Sequence, residues 1–226
     1  MTETGAARDE ILSRIRKSTA ANLAQREREW GGIERSFRKT GTLSSQQRIS
    51  LFSDRLHDYG AGVHESSPEQ LRTVISQVLA ERGKKTIIVP QAWPEDWMPI
   101  GVQVIREQEL SYDALDQSEG IMTASTVAIA LTGTIVLRGG PIEGRRALSL
   151  IPDYHLCVVE ADQIVELVPE ALERLHAVGA APLTFISGPS ATADIEMMRV
   201  QGVHGPRTLD IVIVRKRSSA ADQDSA

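Results

Sequence analysis

The chain has only one cysteine among its 226 residues, Cys157. A single cysteine excludes an intramolecular disulfide, and it excludes a cysteine-ligated zinc site or iron–sulfur cluster held by this chain alone. Cys157 lies in the apolar run LCVV, which favours a small buried side chain over a reactive thiol. We therefore expect no cofactor within this chain.

Aromatic residues and long apolar stretches are also scarce. Aromatic residues make up 4% of the chain, whereas 41% of its residues are hydrophobic. This balance favours helices packed on a sheet of β-branched strands over an aromatic-rich β-sandwich. No stretch reaches about 18 consecutive apolar residues, and the N-terminus lacks the apolar region of a signal peptide, so we expect a cytoplasmic protein without membrane insertion.

The usual signatures of nucleic-acid, nucleotide and metal binding are missing. A formal net charge of −5 at pH 7 gives no overall attraction to nucleic acid. The basic, glycine-rich segment from Arg138 to Arg146 matches neither G-x-G-x-x-G nor a P-loop, which disfavours dinucleotide and P-loop nucleotide binding. The five histidines form no H-x-x-x-H or H-E-x-x-H pattern, so no metal site is predicted.

The sequence divides into three parts by composition and pattern. Residues 1–60 form charged helical patterns, which predict a helical arm that is too polar for a complete core and packs on the main domain or on another subunit. Residues 61–215 alternate Val/Ile-rich runs with helical patterns, which predicts an α/β domain with a mostly parallel sheet flanked by helices. Residues 216–226 are polar, which predicts a disordered tail.

Local signals give three helix boundaries in the α/β part. Ser67 followed by Pro68 is typical of an N-cap and first helical position, and Gly83 is typical of the glycine that closes a helix. A second helix is predicted from about residue 161 to residue 176. A third is predicted from about residue 190 to residue 200, directly after the strand TFIS at 184–187.

The turn between TFIS and the third helix is the first candidate binding site. Ligands of open α/β sheets lie where strands end and helices begin, and a helix N-terminus suits a phosphate or a small carboxylate. An alternative is purely structural, because Ser190 could cap the helix while the acids in its first turn complement the dipole. The candidate ligand-binding residues here are Ser187, Gly188, Pro189, Ser190 and Thr192.

Asp194, Glu196 and His204 are the candidate catalytic residues. If the final strand, LDIVIV at 209–214, neighbours TFIS in the sheet, His204 and Arg207 approach the turn and supply an acid/base group and an anion clamp. A histidine with a purely structural hydrogen bond is the alternative. Neither serine of the turn lies in G-x-S-x-G, so a hydrolase nucleophile elbow is not indicated.

A second hydroxyl-rich turn lies before the strand TIVL at 134–137. Its residues Thr132, Gly133 and Thr134 are further ligand-binding candidates. Ordinary turn chemistry explains the same residues without a ligand.

Four segments occur in an order that resembles one known family. They are LTGTIVL at 131–137, GRRALSLIPDYHLCVV at 144–159, ISGPSATADIE at 186–196 and GVHGPRTLDIVIV at 202–214. Together they resemble the LUD domain of the lactate utilisation protein C family. Two positions depart from the family's usual pattern: Leu131 stands where an acid is usual, and Ala191 stands where a basic residue is usual.

This resemblance implies both a fold and a function. The fold would be like that of the glucosamine-6-phosphate deaminase, ribose-5-phosphate isomerase and coenzyme A transferase group. The function would be a part in bacterial oxidation of L-lactate to pyruvate, with partner proteins that carry iron–sulfur clusters. Two other functions stay open: a stand-alone enzyme of the same fold acting on a phosphosugar or acyl-CoA, and a non-catalytic scaffold.

Overall fold

The structure is a computed structural model that describes residues 3–20, 23–177, 179, 181–192, 200–201 and 205–215. Its contacts divide the chain into two units, Met1–Arg38 and Lys39–Ala226. The first unit contains helices α1 (Glu3–Ala20) and α2 (Leu23–Gly32). The apolar side chains Ile11, Ile15 and Trp30 are exposed in these helices, so this unit buries little of its own apolar surface. The predicted tail at 216–226 lies outside the described residues.

The second unit alternates strands and helices. In chain order its elements are α3 (Ser45–Asp58), β1 (Gly62–Ser66), α4 (Leu71–Glu81), β2 (Thr86–Val89), β3 (Gln103–Arg106), α5 (Tyr112–Asp116), β4 (Ile121–Ala124), β5 (Val127–Ile129), β6 (Thr134–Leu137), β7 (Tyr154–Glu160), β8 (Ile164–Val165), α6 (Val168–Ala177), β9 (Thr184–Ile186), β10 (Ala191–Thr192), β11 (Val200–Gln201) and β12 (Thr208–Val214). Two short 3-10 helices, Glu95–Trp97 and Ala161–Gln163, complete the list.

Six parallel strands form the main sheet, in the order β1-β12-β7-β4-β2-β3. A second sheet has the order β8-β5-β6-β9, in which β5 and β8 are parallel and the other pairs are antiparallel. The predicted α/β class with a mostly parallel, helix-flanked sheet is therefore confirmed. No helix in the described part of the chain combines the length and the apolar character needed to cross a bilayer.

The core consists of apolar layers on both faces of the main sheet. On one face, α4 packs Leu71, Ile75 and Leu79 against strands β2, β7 and β12. On the other face, α3 and the second sheet pack against β7 and β12. Helix α6 covers the far side of the second sheet. Main-sheet strands are thus buried on both faces, which explains their continuous Val/Ile runs.

Helix α3 lies in the α/β unit, whereas its charged sequence pattern predicts a place in the N-terminal arm. It begins with a capping box, in which Ser44 Oγ accepts from Gln47 N at 3.3 Å and Gln47 Oε1 accepts from Ser44 N at 2.9 Å. Ile49, Phe52 and Leu56 recur at helical spacing and are fully buried. One narrow apolar stripe is enough to dock a mostly polar helix.

Two predicted helices begin later than expected. Helix α4 begins at Leu71, because Ser67 lies in a turn where its carbonyl accepts from Gln70 N at 3.1 Å; Gly83 ends the helix as predicted, with φ of 66°. Helix α6 begins at Val168, because Ile164 and Val165 pair with β5 as a strand. Pairing with a distant strand overrides the local helical pattern there.

The helix predicted from about residue 190 is wrong for the described residues. Ala191 and Thr192 form β10, which pairs antiparallel with Val200 and Gln201 of β11. Ser190 N donates to Pro206 O at 2.8 Å instead of opening a helix. The helix N-terminus that the anion site required is therefore not formed at residues 190–192.

Candidate functional site

A cleft of about 260 Å³ lies between the two sheets of the α/β unit. We call it the inter-sheet cleft; its lining residues are Ser149, Leu150, His155, Pro206, Leu209 and residues 184–191. The segment 184–191 supplies β9 and the turn that follows it. His155 and Leu209 lie near the amino-terminal ends of β7 and β12, respectively. The cleft therefore lies between β9 with the turn after it, in the second sheet, and the amino-terminal ends of β7 and β12, in the main sheet.

This arrangement differs from the one expected from sequence. Strand β9 is an edge strand of the second sheet, paired with β6, so it does not neighbour β12. The condition that would bring Arg207 to the turn through sheet pairing is not met. The segments nevertheless meet, because Ser190 bonds to Pro206 across the cleft rim.

The turn after β9 is held closely against α3. Gly188 has a φ of 83°, in the region that favours glycine. A Cβ at this position would lie 2.4 Å from the Cβ of Tyr59, just beyond the end of α3. Only glycine fits both the backbone conformation and the close approach, which explains the glycine at position 188.

The two hydroxyl-rich turns meet at one point. Thr132 Oγ1 shares a 2.8 Å hydrogen bond with Thr134 Oγ1, which in turn shares a 2.7 Å hydrogen bond with Ser187 Oγ. Gly133 between the threonines has a φ of 58° and packs against Arg55 of α3. Both turns are ligand-binding candidates by sequence. In the structure, a chain of hydroxyl groups connects them and ends at the inter-sheet cleft.

His155 also lines the cleft, although it is not among the site residues predicted from sequence. Its side chain is completely buried, and its Nε2 shares a 2.7 Å hydrogen bond with Thr123 Oγ1. Its Nδ1 has no hydrogen-bond partner in the described structure. Burial lowers the pKa of His155 to about 4, so the ring is neutral at pH 7 and offers hydrogen bonding without charge.

A signal for His155 was present in the sequence. Residues 155, 157 and 159 alternate with 156 and 158 in a buried strand, so His155 shares a face with Cys157 and Val159. A histidine on the core face of a strand needs a polar partner or a ligand. The sequence does not show, however, that this part of the strand borders a cleft.

A smaller basic cleft of about 230 Å³ adjoins the inter-sheet cleft, since both are lined by Ser149 and Thr184. Arg138, Arg145 and Arg146 line it. Buried Glu143 organises this loop by accepting from Arg138 N at 2.7 Å and from Gly140 N at 3.1 Å. Arg145 Nε donates to Glu107 at 2.9 Å. The loop thus places positive charge beside the inter-sheet cleft.

The other residues predicted for the site lie away from the cleft lining or outside the described residues. Arg207 does not line the cleft and pairs with Asp153 at 3.3 Å, with both side chains about 60% exposed. Thr192 lies in β10. Asp194, Glu196 and His204 lie outside the described residues, so their roles stay predictions.

The environment of Cys157 and the grouping of His, Cys, Asp and Glu side chains bear on thiol chemistry and metal binding. Cys157 is fully buried, and burial raises the pKa of its thiol to about 12, which keeps it protonated. Among the residues that the structure describes, no three His, Cys, Asp or Glu side chains come together in a way that could hold a metal ion.

Residues 49–214 match the family model of the LUD domain. The chain belongs to the LUD domain family. The match begins within α3 and ends with β12, so it includes both sheets and every described lining residue of the inter-sheet cleft. This confirms the resemblance seen in the four sequence segments.

Relatives of this LUD protein carry one recurring name. A lactate utilization protein C from Deinococcus radiodurans is 44% identical over 175 residues, which cover 76% of this chain and 82% of the relative. A lactate utilization protein C from Halalkalibacterium halodurans is 28% identical over 189 residues, covering 77% and 82%. The crystal structure of a DUF162 family protein from D. radiodurans is similar with a TM-score of 0.67 and 38% identity, over 76% of this chain and 99% of that chain.

Proposed function

We propose that this protein acts in lactate utilisation, as a component of a system that oxidises L-lactate to pyruvate with iron–sulfur partner proteins. Membership of the LUD family and the names of the relatives support the role in lactate utilisation. Oxidation of lactate releases two electrons and two protons. With one buried cysteine in the chain, clusters that accept those electrons would be held by the partners.

The observation that carries the proposal is the meeting of all four family segments at the inter-sheet cleft. The first segment reaches it through the Thr134–Ser187 hydrogen bond. The second supplies Ser149 and His155, the third supplies the turn after β9, and the fourth supplies Pro206 and Leu209. Segments that are far apart in sequence thus come together at or beside one small cleft.

The size and chemistry of the cleft suit a small carboxylate. Its volume of about 260 Å³ lies below the roughly 300–1,000 Å³ typical of sites for larger ligands. Three of its lining residues are serines, Ser149, Ser187 and Ser190. Serine hydroxyl groups can donate hydrogen bonds to carboxylate oxygens. The arginines of the adjoining cleft favour a negative ligand.

A neutral His155 ring suits a hydrogen bond to the hydroxyl or keto oxygen beside the carboxylate of the ligand. An imidazole nitrogen accepts from a hydroxyl group in one tautomer and donates to a keto oxygen in the other. Because the ring is uncharged near neutral pH, it would serve lactate and pyruvate without a change of charge in the buried site.

Growth on L-lactate as sole carbon source tests the proposal. A strain that lacks this protein is complemented with the wild type, with Ser187→Ala and His155→Gln, and with Asp194→Ala and His204→Ala for the predicted catalytic residues. Ser118→Ala is the matched control, because its hydroxyl group bonds to Leu115 O outside the cleft lining. Each variant is checked for expression, and growth on pyruvate is the reference condition.

We expect the wild type and Ser118→Ala to restore growth on lactate and the other four variants to fail. Rescue by every variant would favour a scaffold whose cleft is not used. Normal growth of the deletion strain, with no iron–sulfur protein recovered in a pull-down, would contradict the proposal.

A further inference from the structure

A larger cleft lies at the opposite end of the main sheet. It has a volume of about 690 Å³, and its lining includes three arginines, the acidic residues Glu160 and Asp162, and Trp97. We call it the carboxyl-edge cleft, because Glu160 and Val214 are the last residues of the parallel strands β7 and β12. Ligands of open α/β sheets lie outside this edge. The inter-sheet cleft lies near the first residues of the same two strands.

Three arginines from separate parts of the fold line this cleft, against two acidic residues. Arg48 comes from α3, Arg174 from α6, and Arg215 directly follows β12. Backbone carbonyls hold two of them in place: Arg48 Nη1 donates to Leu43 O at 3.1 Å, and Arg174 Nη1 donates to Asp162 O at 2.7 Å. The Arg215 guanidinium is held by the side chains of Gln46 and Glu65. The guanidinium groups are therefore already positioned before any ligand arrives.

Two of these guanidinium groups have a buried donor left over. In the described structure, the Nε atoms of Arg48 and Arg215 are buried without a hydrogen-bond partner. Arg215 uses its other nitrogens for Gln46 Oε1, at 2.7 Å, and for Glu65. A buried charged donor without an acceptor is unfavourable, and an anionic ligand oxygen would satisfy it.

The start of α4 also lies at the cleft. Pro68 and Leu71 line the cleft just where this helix of 11 residues begins. Its N-cap, Gln70, makes no side-chain capping hydrogen bond among the described residues. The first backbone N–H groups of α4 and the positive end of its dipole therefore favour an anion at this position.

The remaining lining residues form an apolar wall that contains an aromatic ring. Ile49, Leu71 and Val214 are buried there. Trp97 is fixed by an edge-to-face contact with Trp93, with ring centroids 5.4 Å apart and planes at 78°. An apolar wall beside an arginine cluster suits a ligand that has both a planar apolar part and an anionic part.

We propose that the carboxyl-edge cleft binds a phosphate-bearing ligand of the nucleotide class. The arginines and the start of α4 hold the phosphate groups, and the wall containing Trp97 receives the base. This site uses none of the residues of the inter-sheet cleft, and the proposal does not depend on the role in lactate utilisation.

Isothermal titration calorimetry of the full chain with ADP, inorganic pyrophosphate and adenosine tests this site. We expect ADP to bind more tightly than pyrophosphate and adenosine, since it alone uses both halves of the cleft. ADP affinity should also fall as the salt concentration rises. Absence of ADP binding, or equal affinity for ADP and pyrophosphate, would overturn the assignment to the nucleotide class.

Arginine substitutions test whether ADP binds in the carboxyl-edge cleft. Arg215→Gln and Arg48→Gln are each expected to weaken ADP binding roughly tenfold or more, because each removes a charged donor to phosphate. Arg207→Gln is the matched control, since it removes the same charge at the other end of β12, from an exposed arginine. Equal weakening by Arg207→Gln would show a general charge effect and contradict the proposal.

A second control separates ligand binding from a structural role of Arg215. Glu65 pairs with Arg215 but does not line the cleft. Glu65→Gln breaks this ion pair while keeping the arginine, so it should leave ADP affinity unchanged or slightly higher. If Glu65→Gln weakens ADP binding as much as Arg215→Gln does, Arg215 acts only through the packing of β1, and the proposed contact is wrong.

Discussion

Arg82 holds Asp210 with two parallel hydrogen bonds, from Nε to Oδ2 and from Nη2 to Oδ1, each 2.8 Å long. His64 Nε2 lies 3.2 Å from the same carboxylate, which is completely buried near the start of β12. Gly62 makes room for it, because a Cβ there would lie 1.9 Å from Asp210 Oδ1. The cluster therefore ties β1, α4 and β12 together one residue away from Leu209, which lines the inter-sheet cleft.

Removing the Asp210 carboxylate should destabilise the fold. Asp210→Asn leaves Arg82 and His64 without their anionic partner, and loss of one member of a buried pair costs about 3 kcal/mol. Asp153→Asn is the control, because the Asp153–Arg207 pair is largely exposed and its loss should cost less than about 1 kcal/mol. Urea denaturation at pH 7 measures both, and equal losses would contradict the structural role of Asp210.

The Asp210 cluster also predicts how stability depends on acid. Burial opposes ionisation of Asp210, but hydrogen bonds from His64 and Arg82 outweigh it and hold the pKa of Asp210 below its usual value. A depressed folded-state pKa gives stability that is present above the unfolded-state pKa of about 3.9 and is lost as the pH falls below it. The wild type should lose more stability than Asp210→Asn between pH 4.5 and pH 3.

Protonation of His155 should cause a separate loss of stability, which begins at a higher pH than the loss caused by Asp210. Its folded-state pKa of about 4 lies below the ordinary value of 6.5, so the unfolded chain binds a proton in this window and the folded chain does not. Stability should therefore fall as the pH is lowered from about 6.5 to about 4. Relative to His155→Asn, the wild type should lose about 2 to 3 kcal/mol more between pH 7 and pH 4.5. Parallel pH profiles for the two proteins would contradict a buried neutral histidine.

The Thr134–Ser187 hydrogen bond should appear as a coupling between two strands of the second sheet. Thr134→Val and Ser187→Ala each remove one partner and should each cost about 1 kcal/mol of unfolding free energy. The double variant should cost less than the sum of the two by at least about 0.5 kcal/mol. Ser187→Ala combined with Ser118→Ala should be additive, because the Ser118 hydroxyl group bonds locally to Leu115 O, away from the Thr134–Ser187 contact. Additivity in both pairs would show that the hydroxyl chain does not contribute.

Gly188 should tolerate alanine worse than another glycine with a similar backbone. Gly101→Ala places a side chain at a φ of 78° in open space, so only the backbone cost of about 1 to 2 kcal/mol applies. Gly188→Ala adds the contact with Tyr59, which should cost roughly 1 to 3 kcal/mol more. Thermal unfolding of both variants compares them directly, and similar losses would mean that the turn can move away from α3.

The candidate site could be found from sequence only in part. The turns at Thr132–Thr134 and at Ser187–Ser190 contain hydroxyl groups and glycines in short patterns, and such patterns are visible along the chain. Their meeting through Thr134 and Ser187 depends on the pairing of β6 with β9, which no local pattern shows. His155 was missed for the same reason, since only the tertiary structure shows that it lines a cleft.

Sequence by itself determined the α/β class, the family and several of the buried strands, such as β6 and β12, because apolar runs, helix-closing glycines such as Gly83 and ordered motifs are encoded by residues close together in the chain. Tertiary structure alone decided that β9 joins a second sheet, that Ala191 and Thr192 form a strand, and that Arg48, Arg174 and Arg215 surround one cleft. These features depend on contacts between residues more than 40 positions apart or on pairing that competes with local propensity, so local patterns are insufficient to specify them.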